Sequence, residues 1–131
     1  MIVVDTNVIA YLWIPGVATD SAERLFREDS EWCAPLLWRS ELRNLLAGYL
    51  RRGRIGLEDA IRIAEAAQEP LRGREFEVPS ERVLQAVNTS RCSAYDCEFV
   101  VLARELGIPL VTNDRQILRS FPDVAVALAR A

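Results

Sequence analysis

The chain has 131 residues, half of them apolar and 27% charged, with a formal net charge of -3, a composition that suits a single globular domain spanning residues 1–131 with a real core. It contains no histidine, and every one of its 16 basic residues is an arginine. That excludes Ser-His and Cys-His nucleophiles, histidine metal sites, a P-loop lysine and a Schiff base, so any catalysis has to rest largely on carboxylates.

Met1 to Val4 reads as a short buried strand, and DTNVIAYLW continues as a helix to about Trp13, with Asp5 or Thr6 as its cap and Pro15-Gly16 as its stop. Thr19 or Asp20 caps a second helix to about Arg27, and Glu31 to Ala34 is a second strand closed by Pro35. Trp38, Leu42, Leu45, Leu46, Tyr49 and Leu50 recur at helical spacing up to Gly53, and a helix from Leu57 to Gln68 completes a helical hairpin. Arg74 to Val78 is a candidate third strand. Ser80 caps a helix to about Asn88, and Ser93 caps another to about Leu106 that Gly107 ends. PLVTND then forms a strand and turn, a short helix covers Arg115 to Ser120, and a last strand lies near Val124 to Val126. Strands alternating with helices predict a three-layer α/β/α domain around a mainly parallel sheet of about four or five strands.

Cys33, Cys92 and Cys97 form no CxxC pair and are odd in number, which predicts reduced, partly buried thiols. No basic leader is visible, and no apolar run approaches the roughly 18 residues of a membrane span, so a soluble cytoplasmic protein with no membrane contact is expected. The net charge does not mark a nucleic-acid binder, but cations held by clustered acids would leave the remaining surface closer to neutral.

In open α/β sheets the functional crevice lies at the carboxyl ends of the strands, and four acids fall near such places. Asp5 follows the first strand and Asp114 the PLVT strand, while Glu41 and Asp96 lie near the starts of their helices. Asp5 also reads as a helix cap and Asp114 as turn chemistry. Asp96 shares a helix face with Phe99, Val100 and Ala103, where an acid needs a partner, either an arginine or a metal. Its neighbour Glu98 lies towards Glu105 on the solvated flank. Glu41 sits at the edge of an apolar stripe beside Trp38 and Leu45. Each acid has its own structural explanation, whereas one divalent cation accounts for all four. Mg²⁺ or Mn²⁺ suits an all-oxygen donor set and is the equipment for phosphodiester hydrolysis.

With these residues, the chain resembles the PIN-domain family, and within it the VapC-like toxin ribonucleases of type II toxin-antitoxin pairs. VVDTNVIAYL, LLWRSELRNLL with Glu41, and SAYDCEFVVLARELGIPLVTND with Asp96 and Asp114 carry the resemblance over nearly the whole chain. It implies that Asp5, Glu41, Asp96 and Asp114 surround one or two Mg²⁺ or Mn²⁺ ions, with Asp5 and Asp96 nearest, and that RNA is cut to leave a 5′-phosphate and a 3′-hydroxyl. Thr6, Asn7 and Thr112 match polar positions that line such sites. Arg39, Arg43 and Arg115, near the acids in sequence, are candidates to meet phosphates, because a guanidinium fork binds two oxygens. Arg51, Arg52 and Arg54, at the far end of their helix, suit a surface or partner role. The resemblance further implies a VapB-like antitoxin that blocks the acidic site, and a homodimer. Two other expectations compete: a PIN nuclease outside any toxin pair, acting in RNA processing or on DNA, and a non-enzymatic α/β binding module whose acids are caps and salt bridges.

Overall fold

In the computed structural model, which describes residues 1–131, short apolar runs become strands because both faces of the sheet are covered. They are β1 (Ile2–Val4), β2 (Trp32–Pro35), β3 (Glu75–Phe76), β4 (Leu110–Thr112) and β5 (Ala125–Ala127). Every residue of β1, β2 and β4 is buried. All neighbours pair in parallel, in the order β3-β2-β1-β4-β5, which bears out the parallel α/β expectation.

The connecting helices are α1 (Thr6–Trp13), α2 (Thr19–Glu28), α3 (Leu37–Arg51), α4 (Leu57–Ala66), α5 (Ser80–Asn88), α6 (Ala94–Leu106) and α7 (Arg115–Ser120). The chain steps outward from β1 through β2 to β3, then returns past β1 to β4. Because parallel crossovers are right-handed, α1 to α4 cover one face and α5 and α6 the other. Accordingly α1 packs on α2 and α3, whereas α6 lies against α5, β1, β2 and β4. The strand order reverses between β1 and β4, and an open α/β sheet forms its crevice at the carboxyl end of such a switch point.

Local details depart from expectation in identifiable ways. Pro35, expected to close β2, is its last residue and pairs with Phe76. Neither Thr19 or Asp20 nor Ser80 serves as a cap: α2 follows Ala18 and α5 follows Pro79, each without a side-chain capping bond. The Thr19 hydroxyl instead accepts the Gly16 N–H at 2.9 Å and so holds the Pro15-Gly16 turn. Ser93 does cap α6, accepting the Asp96 N–H at 3.1 Å, and Gly107 ends that helix in the left-handed conformation at φ 66°. The three cysteines are free and buried. No helix is long and apolar enough to cross a membrane.

The start of α3 is tied to the sheet edge through one carboxylate. Glu75 of β3 accepts the indole N–H of the wholly buried Trp38 at 2.7 Å and a two-pronged bond from Arg39 at 2.6 and 2.7 Å. The Arg39 guanidinium holds the Glu75 carboxyl below the usual carboxylate range. Glu75→Ala leaves a buried indole N–H and a guanidinium without an acceptor and is expected to lower stability by about 1–3 kcal/mol in urea denaturation, with Glu75→Gln losing less because it keeps an acceptor for Trp38.

Candidate active site

Asp5 stands where β1 passes into α1. Its Oδ1 accepts the Val8 N–H at 3.0 Å and caps the helix, while its Oδ2 accepts the hydroxyl proton of Thr112 at the end of β4. The adjacent Thr6 donates its hydroxyl to Glu41 Oε1 at 2.6 Å, which joins α1 to α3. On the other side Thr112 Oγ1 accepts the Asp114 N–H, and Asp114 Oδ1 accepts the Ile117 N–H to cap α7, both at 2.9 Å. Asp96 lies in the first turn of α6, on the same helix face as the buried Phe99 and Val100. Asp5, Thr6 and Thr112 are the buried polar residues of the chain, at 7%, 6% and 0% exposure, and all three meet at this point.

Asp5, Glu41, Asp96 and Asp114, drawn from distant parts of the chain, line one pocket of about 250 Å³ together with Thr6 and Asn7. Leu45, Phe99 and Ile117 are its apolar lining residues. Thr112 is not on the lining but behind it, bonded to Asp5. Asn44 also faces the pocket; sequence reasoning did not single it out, although its position one helical turn after Glu41 was a usable signal. The arginines stand apart. Arg39 is bound to Glu75, Arg43 and Arg115 are exposed, and none of the three lines the pocket.

None of the four acids has an ion-pair partner. Burial pushes Asp5 up to about 6 against the opposing pull of its bonds from Thr112 and Val8, and the charges of Asp114 and Asp96 add to the rise. Burial also raises Asp96, with a contribution from Asp114, and Glu41, with one from Asp96. Glu98, expected on a solvated flank, is half-buried and raised by burial and by the charge of Glu41. Packing of α3 sets Glu41 near it, which helical periodicity within α6 could not reveal.

The donor chemistry fits a hard divalent cation: oxygen throughout, and negative charge left uncompensated. No three acids close on one another tightly enough to enclose an ion by themselves. Mg²⁺ does not require such a cage, since it keeps several waters and takes only one or two carboxylates.

The chain also matches known proteins over most of its length. The profile of the PIN domain matches residues 2–125. The chain is 29% identical over 124 residues to ribonuclease VapC3 of Pyrobaculum aerophilum, covering 92% of this chain and 95% of that one. Among solved structures it is similar to PAE2754 from Pyrobaculum aerophilum, with a TM-score of 0.77 and 21% identity over 98% of this chain and 90% of that one. It is also similar to a chain of a toxin-antitoxin complex from Klebsiella pneumoniae, with a TM-score of 0.66 and 14% identity over 100% of both chains.

The buried charge has a consequence for stability. Asp5 binds its proton more tightly in the folded chain, at about 6, than at the ordinary value of 3.8, so the folded state holds more protons between those values. Stability of the metal-free protein is therefore expected to fall as pH rises through that window, and this group contributes no slope outside it. Asp5→Asn keeps an oxygen for the Val8 N–H and removes the charge; it should flatten the slope and raise stability at neutral pH by about 1–3 kcal/mol. Denaturant melts of both proteins from pH 4 to 7 measure this.

Proposed function

The chain belongs to the PIN-domain family, and on that premise we propose that it is a Mg²⁺- or Mn²⁺-dependent endoribonuclease, the toxin of a VapBC-like type II toxin-antitoxin pair. One observation carries this reading: a single pocket gathers Asp5, Glu41, Asp96 and Asp114 and offers no cation to offset them. The similarity to a protein named ribonuclease VapC3 over nearly the full length of both chains supports an RNA substrate. The likeness to a chain of a toxin-antitoxin complex supports an antitoxin partner.

Asp5 and Asp96 would hold the ion, with Asp114 and Glu41 completing the set directly or through water. When bound, Mg²⁺ or Mn²⁺ supplies charge neutralisation, activation of a water and stabilisation of the charge that builds on the phosphate. The protein's share is positioning. The Val8 N–H and the Thr112 hydroxyl fix the orientation of Asp5, and the Thr6 hydroxyl fixes Glu41, so both carboxylates are set before substrate arrives. Glu41, weakened as an acid by its burial, would orient the attacking water and take up its proton as the P–O3′ bond breaks, the departing 3′-oxygen being protonated by solvent. Asn44 offers an amide group to the sugar-phosphate chain, Asn7 at the pocket's edge helps to orient the substrate, and the exposed Arg43 and Arg115 engage phosphates farther along.

Incubation with RNA is expected to give Mg²⁺- or Mn²⁺-dependent cuts that EDTA abolishes, with Asp96→Asn, verified as folded, losing about 100-fold or more in rate. Equal cutting by that variant would overturn the site assignment. Thr6→Val, which removes only the support of Glu41, should lower kcat about 10–100-fold with little change in KM. For the toxin role, expression should arrest growth and co-expression of a neighbouring gene product should relieve it. RNA cutting without growth arrest would leave the nuclease and remove the toxin.

A further inference from the structure

We propose that a nucleotide flanking the scissile phosphate places its base in a second groove, between α1 and α3, and stacks it on Tyr49. The inference rests on the nuclease reading above and names the part of the substrate that the acidic pocket does not hold.

The acidic pocket is built for phosphate and metal, not for a base. A groove of about 360 Å³ adjoins it, and Asn7 and Leu45 line both. Ala10, Tyr11, Ile14, Tyr49 and the turn at residues 15–18 form the rest of its lining, and no acid lines it. Its size is that of a small-ligand site. Two further features tie it to the acids. Glu41, Leu45 and Tyr49 are four residues apart on α3 and so share one helix face, with Tyr49 about 12 Å from Glu41 along the axis. Tyr11 lies close enough to Asp5 and Asn113 for both to influence its hydroxyl.

A cation stands beside the Tyr49 ring. The Arg52 guanidinium lies 5.1 Å from the centre of the Tyr49 ring and has no carboxylate partner. Gly48 clears its path, since a Cβ there would stand 3.2 Å from Arg52 Nη1. Arg52, though exposed at the end of α3, thus folds back beside an aromatic ring. An aromatic face, an amide at Asn7 for the base edge and an unpaired guanidinium for the adjoining phosphate are the means by which proteins hold unstacked bases of single-stranded RNA. An apolar peptide would use the walls but leave the guanidinium and the continuity with the acids without purpose.

The test uses the full chain with Mn²⁺ and a random-sequence single-stranded RNA pool whose cut ends are sequenced. One cleaved oligonucleotide is then remade with an abasic residue at each position flanking the cut. Tyr49→Leu keeps apolar volume and removes the ring; thermal melts verify its fold, Tyr49→Phe is the conservative variant, and Leu84→Ala, exposed on α5, is the control. The wild type should prefer certain bases at one flanking position. Tyr49→Leu should lose that preference and raise KM roughly 10–100-fold at similar kcat, while Tyr49→Phe keeps both. The abasic residue at that position should penalise the wild type by a similar factor and Tyr49→Leu no further. An unchanged KM and cut profile in Tyr49→Leu, or an abasic penalty that it still shows in full, overturns the subsite and leaves the nuclease intact. If the wild type cuts no RNA, the nuclease reading fails, and binding of the same fluorescent oligonucleotides decides the subsite separately: abasic discrimination lost in Tyr49→Leu supports it, and absent or unchanged binding overturns it. A Tyr49→Leu protein that cuts normally but escapes a protein inhibitor assigns the groove to that partner and also overturns it.

Discussion

Asp5 is clasped between two strand ends, one carboxylate oxygen capping α1 through Val8 and the other receiving the Thr112 hydroxyl from β4. The clasp lies where the strand order reverses, the one place where two parallel strands diverge into helices on opposite faces and leave room at their carboxyl ends. Burying a carboxylate is costly even when it is hydrogen-bonded. The α1 N-terminus and two donors offset part of that cost, since a helix start favours negative charge. What they leave is visible in the raised pKa of Asp5.

The distribution of counter-charges separates two kinds of acid. Outside the pocket, arginines sit beside carboxylates: Arg39 with Glu75, Arg62 with Asp59, Arg72 with Glu69, Arg82 with Glu105, Arg104 with Asp123. Inside it, four carboxylates share a wall without one. The same residue type is therefore matched by an arginine in the first setting and left without a cation in the second. Thr6 and Thr112 make the second setting possible, because a hydroxyl orients a carboxylate without neutralising it.

Helical and strand periodicity foretold much of this architecture. Asp96 was legible because three apolar residues at helical spacing put it on a packed face, and the parallel sheet because strands alternate with helices. Other features depended on partners remote in sequence. Arg39, a candidate for phosphate by its nearness to Glu41, is drawn off by Glu75, 36 positions away. Glu98 reads as a surface residue on α6 alone, yet it is half-buried and feels the charge of Glu41 on α3. Thr19 and Ser80 looked like caps because their hydroxyls are suited to the role, but such hydroxyls also bond turns, as Thr19 does.

The amino-acid order by itself determined which chemistry was open: with no histidine and no lysine, catalysis has to rest largely on carboxylates. It also determined the local elements, since the spacing of apolar residues and the placement of Ser93 and Gly107 act over a few residues. Only the tertiary structure decided which acids meet. Strand order, the clasp of Asp5 by Thr112 across 107 positions and the seating of Glu41 against Thr6 all rest on long-range packing. Local pattern carries no record of such packing, because it specifies which face of an element is buried and not which partner buries it.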